Sequence, residues 1–167
     1  MIKRNKLIGV IGVLAGLLWG SAITAGAAEH SHQHDNQHAA AGELKPNDGK
    51  KWAADDALRR GMGGIRNQIA EHLHAEQAGK VSPAQYNILA KGVNGQLGYI
   101  FQNCRLNKEA DAALHKILAQ VIEGVEILEG KRTGVERREG VMKIASALEI
   151  YPTYFAHPGW KPLQLNH

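Results

Sequence analysis

The sequence is poor in cysteine: among its 167 residues it has one, Cys104. A chain with a single thiol forms no internal disulfide, so its fold has to be stabilised by an apolar core. In an oxidising compartment such a thiol is buried, bound to a metal or paired with a second chain. All three roles stay open for Cys104.

The chain also lacks a strong excess of one charge if its N-terminal segment is removed. Basic residues at positions 3, 4 and 6 precede an apolar stretch over positions 7–23, and the small residues Ala25-Gly26-Ala27 follow. This order predicts a secretory signal peptide over residues 1–27 and a periplasmic or secreted protein. The alternative is an uncleaved anchor helix, because the apolar stretch approaches the length of a membrane span.

Cleavage of this signal removes most of the positive charge. The chain has 20 Lys and Arg against 16 Asp and Glu, and the signal holds three of the basic residues and none of the acidic ones. The mature chain therefore has 17 basic residues against 16 acidic ones. Without a basic stripe carrying interleaved aromatics, nucleic acid is not an expected partner, and no membrane association is expected after cleavage.

Sequence motifs of enzymes are missing as well. The chain contains no G-x-S-x-G, no P-loop and no H-E-x-x-H, which are patterns that position a nucleophile, a phosphate or a catalytic zinc. The Glu-x-x-His pairs of di-iron bundles do not occur in duplicate. We therefore expect a protein without enzymatic activity.

Apolar residues at helical spacing fill the chain from Trp52 onward and predict four amphipathic helices. The first helix covers about Ala53 to Gln77, and Ser82-Pro83 opens the second. Asn107 caps the third helix. A capping box at Thr133–Glu136 opens the fourth, which ends or kinks at Pro152. No strand pattern competes. The apolar stripes of the four helices are Leu58, Met62, Ile65, Ile69 and Leu73; Tyr86, Leu89, Val93, Leu97, Ile100, Phe101 and Cys104; Leu114, Ile117, Leu118, Val121, Val125 and Leu128; and Val141, Ile144, Ala145 and Leu148.

Short connections predict an all-α, antiparallel up-down-up-down four-helix bundle over residues 52–160. A disordered histidine-rich tail over residues 28–51 precedes it, and a C-terminal tail over residues 161–167 follows. Three glycines at three-residue spacing on the second helix, Gly92, Gly95 and Gly98, predict close approach of a neighbouring helix.

The tail is the first candidate metal site, with His30, His32, His34 and His38 as ligands. Cleavage after Ala27 leaves a mature chain that begins Ala28-Glu29-His30. The free amine, two backbone amides and the imidazole then form a square-planar nitrogen set that suits Cu(II) or Ni(II). The alternative is a solubilising linker.

A second candidate site comes from the predicted topology, which brings Met62, Cys104, His115 and His157 to one end of the bundle and sends His72 and His74 to the other. Thioether, thiolate and imidazole ligands suit Cu(I) or Zn(II). Asp111 lies four residues before His115 and could orient its imidazole. Each of the four residues also has an ordinary structural role as an alternative.

The chain also resembles the periplasmic four-helix cytochromes of the b562 and c′ type, in size, export, helical bundle, Met62 on the first helix and His157 after the last. The resemblance implies a b-type haem with Met62 and His157 as axial ligands, although His157 lies between Pro152 and Pro158. Without a C-x-x-C-H motif, covalent haem attachment is excluded. The segments Phe101–Leu106 and His157–Trp160 also resemble those of small exported bacterial proteins of unassigned role.

Three functions follow in order of preference. The first is a periplasmic, non-enzymatic protein that binds, buffers or delivers a transition metal, copper above zinc. The second is an electron-transfer protein with haem b. The third is an envelope structural or interaction module, which would present Trp52 and Trp160 on an exposed patch to another envelope protein.

Overall fold

The computed structural model describes residues 47 and 49–164, and in them it contains four long helices and two very short strands. The elements in chain order are β1 (Trp52–Ala53), α1 (Asp56–Gln77), α2 (Pro83–Asn103), α3 (Lys108–Leu128), α4 (Arg137–Tyr154) and β2 (Phe155–Ala156). The four-helix, all-α class expected from the sequence is confirmed. None of these helices is both long and apolar enough to cross a membrane.

The apolar stripes of the helices form the core, and each helix packs against the next while α4 also packs against α1. All predicted core residues of α3 and α4 are buried, as are Leu58, Met62, Ile65 and Ile69 of α1. The stripe was wrong at Phe101, which is half-exposed. Near the end of α1, Leu73 is partly buried against the core as predicted, and the adjacent His72 is buried as well.

Glycines permit close contact between α3 and α4, which the sequence did not predict. A Cβ added to Gly140 of α4 would lie 2.6 Å from the carbonyl oxygen of Gly124 on α3. On α2, Gly92 does face α1, where an added Cβ would meet the Gln68 side chain. Gly95 and Gly98 have no atom within 4 Å of the corresponding position, so the prediction of a close neighbour was wrong for these two.

Polar caps begin the helices, because the first amides of a helix have no partner within it. Gln85 accepts a hydrogen bond from the Ser82 amide at 2.6 Å, and Asn107 caps α3 by accepting from the Ala110 amide at 2.8 Å, both as predicted. The fourth helix begins later than predicted. Its N-cap is Glu136 rather than Thr133, because the left-handed Gly134 (φ 77°) prolongs the preceding turn.

The expectation of no strands was wrong at the ends of the bundle domain. Trp52 and Ala53 form a parallel pair with Phe155 and Ala156, so α1 begins at Asp56 rather than at residue 53. Strands of two residues have no recognisable period in a sequence. The chain after β2 then folds back on α1, where Arg66 donates hydrogen bonds to the carbonyl oxygens of residues 161 and 162 at 2.9 and 3.0 Å.

Candidate functional site

The four histidines of the predicted tail, His30, His32, His34 and His38, lie outside the described residues. The same applies to the signal peptide and to its cleavage site. The structure does describe the point where the tail joins the folded domain. There, β1 pairs with β2, so Trp52 and Ala53 lie beside Phe155 and Ala156, the segment that precedes His157.

Cys104 caps the C-terminus of α2 and is half-buried. Its thiol donates a long hydrogen bond to Asp55 Oδ1 at 3.6 Å. Burial, together with the negative charge of Asp55, raises the pKa of the thiol to about 12. Cys104 is therefore a protonated, weakly nucleophilic thiol at neutral pH.

Asp55 connects the start of α1 to the loop between α2 and α3. Its carboxylate accepts hydrogen bonds from the Leu58 amide at 2.7 Å and from the Arg105 amide at 2.6 Å. Burial acts to raise the pKa of this carboxyl, but the hydrogen bonds from Arg105, Leu58 and Cys104 outweigh it, so the net pKa is lowered. The carboxylate is thus held in its charged form as an acceptor.

His157 follows β2 and lies in an aromatic cluster. Its Nδ1 is 3.1 Å from the hydroxyl of the fully buried Tyr151, and its ring centroid is 5.0 Å from that of Trp160. Burial lowers the pKa of His157, and the positive charge of Arg59 lowers it further. The imidazole is therefore neutral at pH 7, which is the form that binds metals.

His115 lies on the exposed side of α3. Its Nδ1 is 2.9 Å from the backbone oxygen of Asp111 and 3.4 Å from the Asp111 carboxylate. Its ring lies 6.4 Å from that of Phe101. Asp111 thus contacts His115 as the spacing predicted, with the backbone oxygen as the nearer atom.

Met62 is fully buried in the apolar core. Of the four residues predicted to form the second metal site, His115, Cys104 and His157 therefore each have a separate polar partner, while Met62 has apolar surroundings. Within residues 47 and 49–164, no three His, Cys, Asp or Glu side chains are grouped so that they could hold a metal ion. The four-residue site stays a prediction.

The haem hypothesis makes a steric demand on the same residues. Met62 has no exposed surface. A haem between Met62 and His157 would need room that core side chains fill in this conformation. Haem ligation by this pair also stays a prediction.

The exposed tryptophan patch of the third hypothesis is not present. Trp52 and Trp160 are half-buried and pack against the core. Each indole nitrogen is buried and finds no hydrogen-bond partner among the residues the structure describes. The two rings therefore help to close the end of the bundle instead of forming an exposed surface.

A polar cluster at the α1–α2 end was missed by the sequence analysis. Glu76 of α1 accepts a hydrogen bond from the Tyr86 hydroxyl of α2 at 3.1 Å and pairs with Arg138 of α4 at 3.3 Å. His72 lies beside it, with Nε2 3.7 Å from Glu76 Oε1. The available signal was weak: position 72 continues the buried stripe three residues after Ile69, and Glu76 follows His72 by one helical turn.

The chain matches no protein-family model, no curated protein and no solved structure. Any function assigned to it therefore rests on its own residues.

Proposed function

We propose that this chain is an exported, non-enzymatic copper-binding protein whose histidine-rich tail captures Cu(II) and whose up-down-up-down helical bundle carries that tail. One observation carries the proposal. Four histidines, His30, His32, His34 and His38, occur within nine residues directly after the A-x-A sequence at positions 25–27. A histidine-rich tract is typical of metal binding, and copper is the divalent metal that nitrogen ligands hold most tightly.

The chemistry depends on where the signal is cut. After cleavage behind Ala27, the new amino terminus, the amide nitrogens of Glu29 and His30, which release their protons to solvent on binding, and the His30 imidazole surround one Cu(II) in a plane. Cleavage one residue later moves His30 to position two, and the set is lost. The four tail imidazoles would then bind without that planar set, with lower affinity and less defined geometry.

The folded domain supports a role as carrier more than as a second strong site. Cys104 is protonated, with a pKa raised to about 12, so a metal would have to displace a tightly held proton. Met62 is enclosed by apolar side chains. Of the predicted second set, His115 is the residue with a substantially exposed side chain, at 60%.

Copper titration of the mature, untagged protein tests the proposal. We expect Cu(II) binding with a Kd below roughly 10 μM and a visible absorption band typical of square-planar nitrogen ligation. The His30→Ala variant should lose that absorption band but keep part of the copper binding. Replacement of all four tail histidines should abolish copper binding. The matched control is His115→Ala, which should bind copper like the native chain.

Mass spectrometry of the same sample identifies the mature N-terminus and so separates two outcomes. A chain that begins at Ala28 and binds no copper tighter than roughly 10 μM contradicts the proposal. A chain that begins at Glu29 should bind copper without the planar spectrum, and His30→Ala should then weaken binding no more than His34→Ala does.

A further inference from the structure

His72 lies where three helices meet, near the end of the bundle that holds the α1–α2 connection. It is buried, with 7% of its surface exposed. Its ring packs on the ring of Tyr86 from α2 with centroids 4.9 Å apart. Its Nε2 is buried and has no hydrogen-bond partner within the described part of the chain. An imidazole nitrogen is rarely left in this state, because a buried polar atom without a partner costs about 1–3 kcal/mol.

Glu76, the nearest acceptor, is held at a distance from His72 by other partners. One of its oxygens accepts from Tyr86 at 3.1 Å and the other pairs with Arg138 at 3.3 Å. The distance of 3.7 Å from His72 Nε2 to Glu76 Oε1 is too long for a hydrogen bond. Glu76 therefore joins α1, α2 and α4 directly, while His72 lies beside this junction without sharing in it.

Protonation of His72 has a cost in this position. The groups beside it are Glu76 on its own helix and Tyr86 from α2, and Arg138 from α4 pairs with Glu76. Burial lowers the pKa of His72, and the carboxylate of Glu76 offsets this only in part. The cationic ring is better solvated in a conformation that admits water.

The connection next to this cluster has little packing of its own. Residues 77–80 are all exposed, and so are the first residues of α2. Gly79 has a left-handed backbone (φ 65°) with nothing within 4 Å of an added Cβ. The contacts around Glu76 and the His72–Tyr86 ring pair thus link this end of α1 to α2 and α4 beside an exposed connection.

We propose that His72 is a proton-sensitive clasp: the neutral ring holds the α1–α2 end of the bundle closed, and its protonation releases that end. The sign follows from linkage, because a proton binds less readily to the closed form than to an open form with an ordinary histidine. The closed form is fully favoured above the ordinary histidine pKa of 6.5. It loses stability as the pH falls below that value, until the lowered pKa of the closed form is passed. The clasp requires no metal and is independent of copper capture by the tail.

Hydrogen exchange on the full mature chain, with a metal chelator present, tests the clasp. After correction for intrinsic rates, exchange at residues 72–86 should be at least about twofold faster at pH 5.0 than at pH 7.5. His72→Gln, which has no titratable ring, should remove this pH dependence. The matched controls are His115→Gln, an exposed histidine, and His157→Gln, a half-buried histidine in the other cluster; both should retain the pH response at residues 72–86.

An NMR titration of His72 in the native chain tests the same point should His72→Gln fail to fold. We expect His72 to titrate below the ordinary value of 6.5 and the amides of residues 72–86 to shift with the same midpoint. A His72 ring that titrates at or above 6.5 overturns the clasp. Exchange at residues 72–86 that does not change with pH in the native chain overturns it as well.

Discussion

Replacing Asp55 tests how the end of the bundle is held together. This carboxylate caps α1 through the Leu58 amide and also accepts from the Arg105 amide, fifty residues away in sequence. Asp55→Ala removes both acceptors at once. Because one bond is local and the other joins two connections of the bundle, we expect a larger loss of stability than from an ordinary cap.

The magnitude follows from the two contacts. Loss of an aspartate N-cap costs about 1 kcal/mol. Loss of the charged acceptor for the Arg105 amide adds about 0.5–1.5 kcal/mol, toward the lower figure because this amide is exposed and water can replace the carboxylate. We therefore expect Asp55→Ala to lower the free energy of unfolding by about 1.5–2.5 kcal/mol. Asp55→Asn keeps a capping oxygen and should cost about half as much.

Urea unfolding followed by circular dichroism measures this change. With a denaturant dependence of about 1.5–2 kcal/mol per molar urea, the midpoint for Asp55→Ala should fall by about 1 M. The neighbouring Asp56→Ala is the matched control, since Asp56 has a 95% exposed side chain and pairs with Arg59 at the surface. That variant should lose less than about 1 kcal/mol.

The acid branch of the stability curve supplies a second test of Asp55. Its pKa in the folded chain is lowered from the ordinary value of 3.8. A lowered carboxyl pKa stabilises the fold above the unfolded value, and this contribution disappears as the pH falls through the folded pKa. The native chain should therefore lose stability below about pH 4 more steeply than Asp55→Asn. Equal urea midpoints for Asp55→Ala and Asp56→Ala, or equal acid slopes for native and Asp55→Asn, would refute the reasoning.

Two further predictions concern helix contact and thiol chemistry. Gly140→Ala should lower the free energy of unfolding in urea by about 1–3 kcal/mol, because its Cβ would meet the Gly124 backbone. The control Gly95→Ala has open space around it and should stabilise α2 by up to about 1 kcal/mol. Similar shifts in the two variants would contradict the close α3–α4 contact. Cys104 should react with iodoacetamide at pH 8 at least about tenfold more slowly in the folded chain than in urea, because its pKa is raised to about 12; equal rates would show that the thiol is neither buried nor held protonated.

Amphipathic patterns that repeat over long helices made much of the fold predictable. Helix α3 shows this best: its cap Asn107 and its buried stripe from Leu114 to Leu128 both agree with the structure. Over 21 residues an amphipathic pattern repeats often enough to be read without ambiguity. The start of α4 was misplaced because two capping-box patterns overlap there, one at Thr133 and one at Glu136, and local sequence does not decide between them.

The polar clusters were less predictable because they depend on contacts between distant segments. The Asp55–Arg105 bond and the Tyr151–His157 pair follow from how the helix ends meet, and no local period encodes this. At the end of α1, Leu73 packs against the core as the stripe predicted, but the burial of the adjacent His72 was not expected, because an apolar pattern does not mark a polar residue. The Glu76 junction with Tyr86 and Arg138 was missed because it joins three different helices.

The most direct test of the central proposal is a Cu(II) titration of the mature, untagged chain, compared with a variant in which His30, His32, His34 and His38 are all alanine. The proposal predicts binding to the native chain with a Kd below roughly 10 μM and loss of that binding in the variant. Equal copper binding by both chains would place the metal elsewhere in the protein. No binding by either chain at that concentration would contradict a copper-binding function.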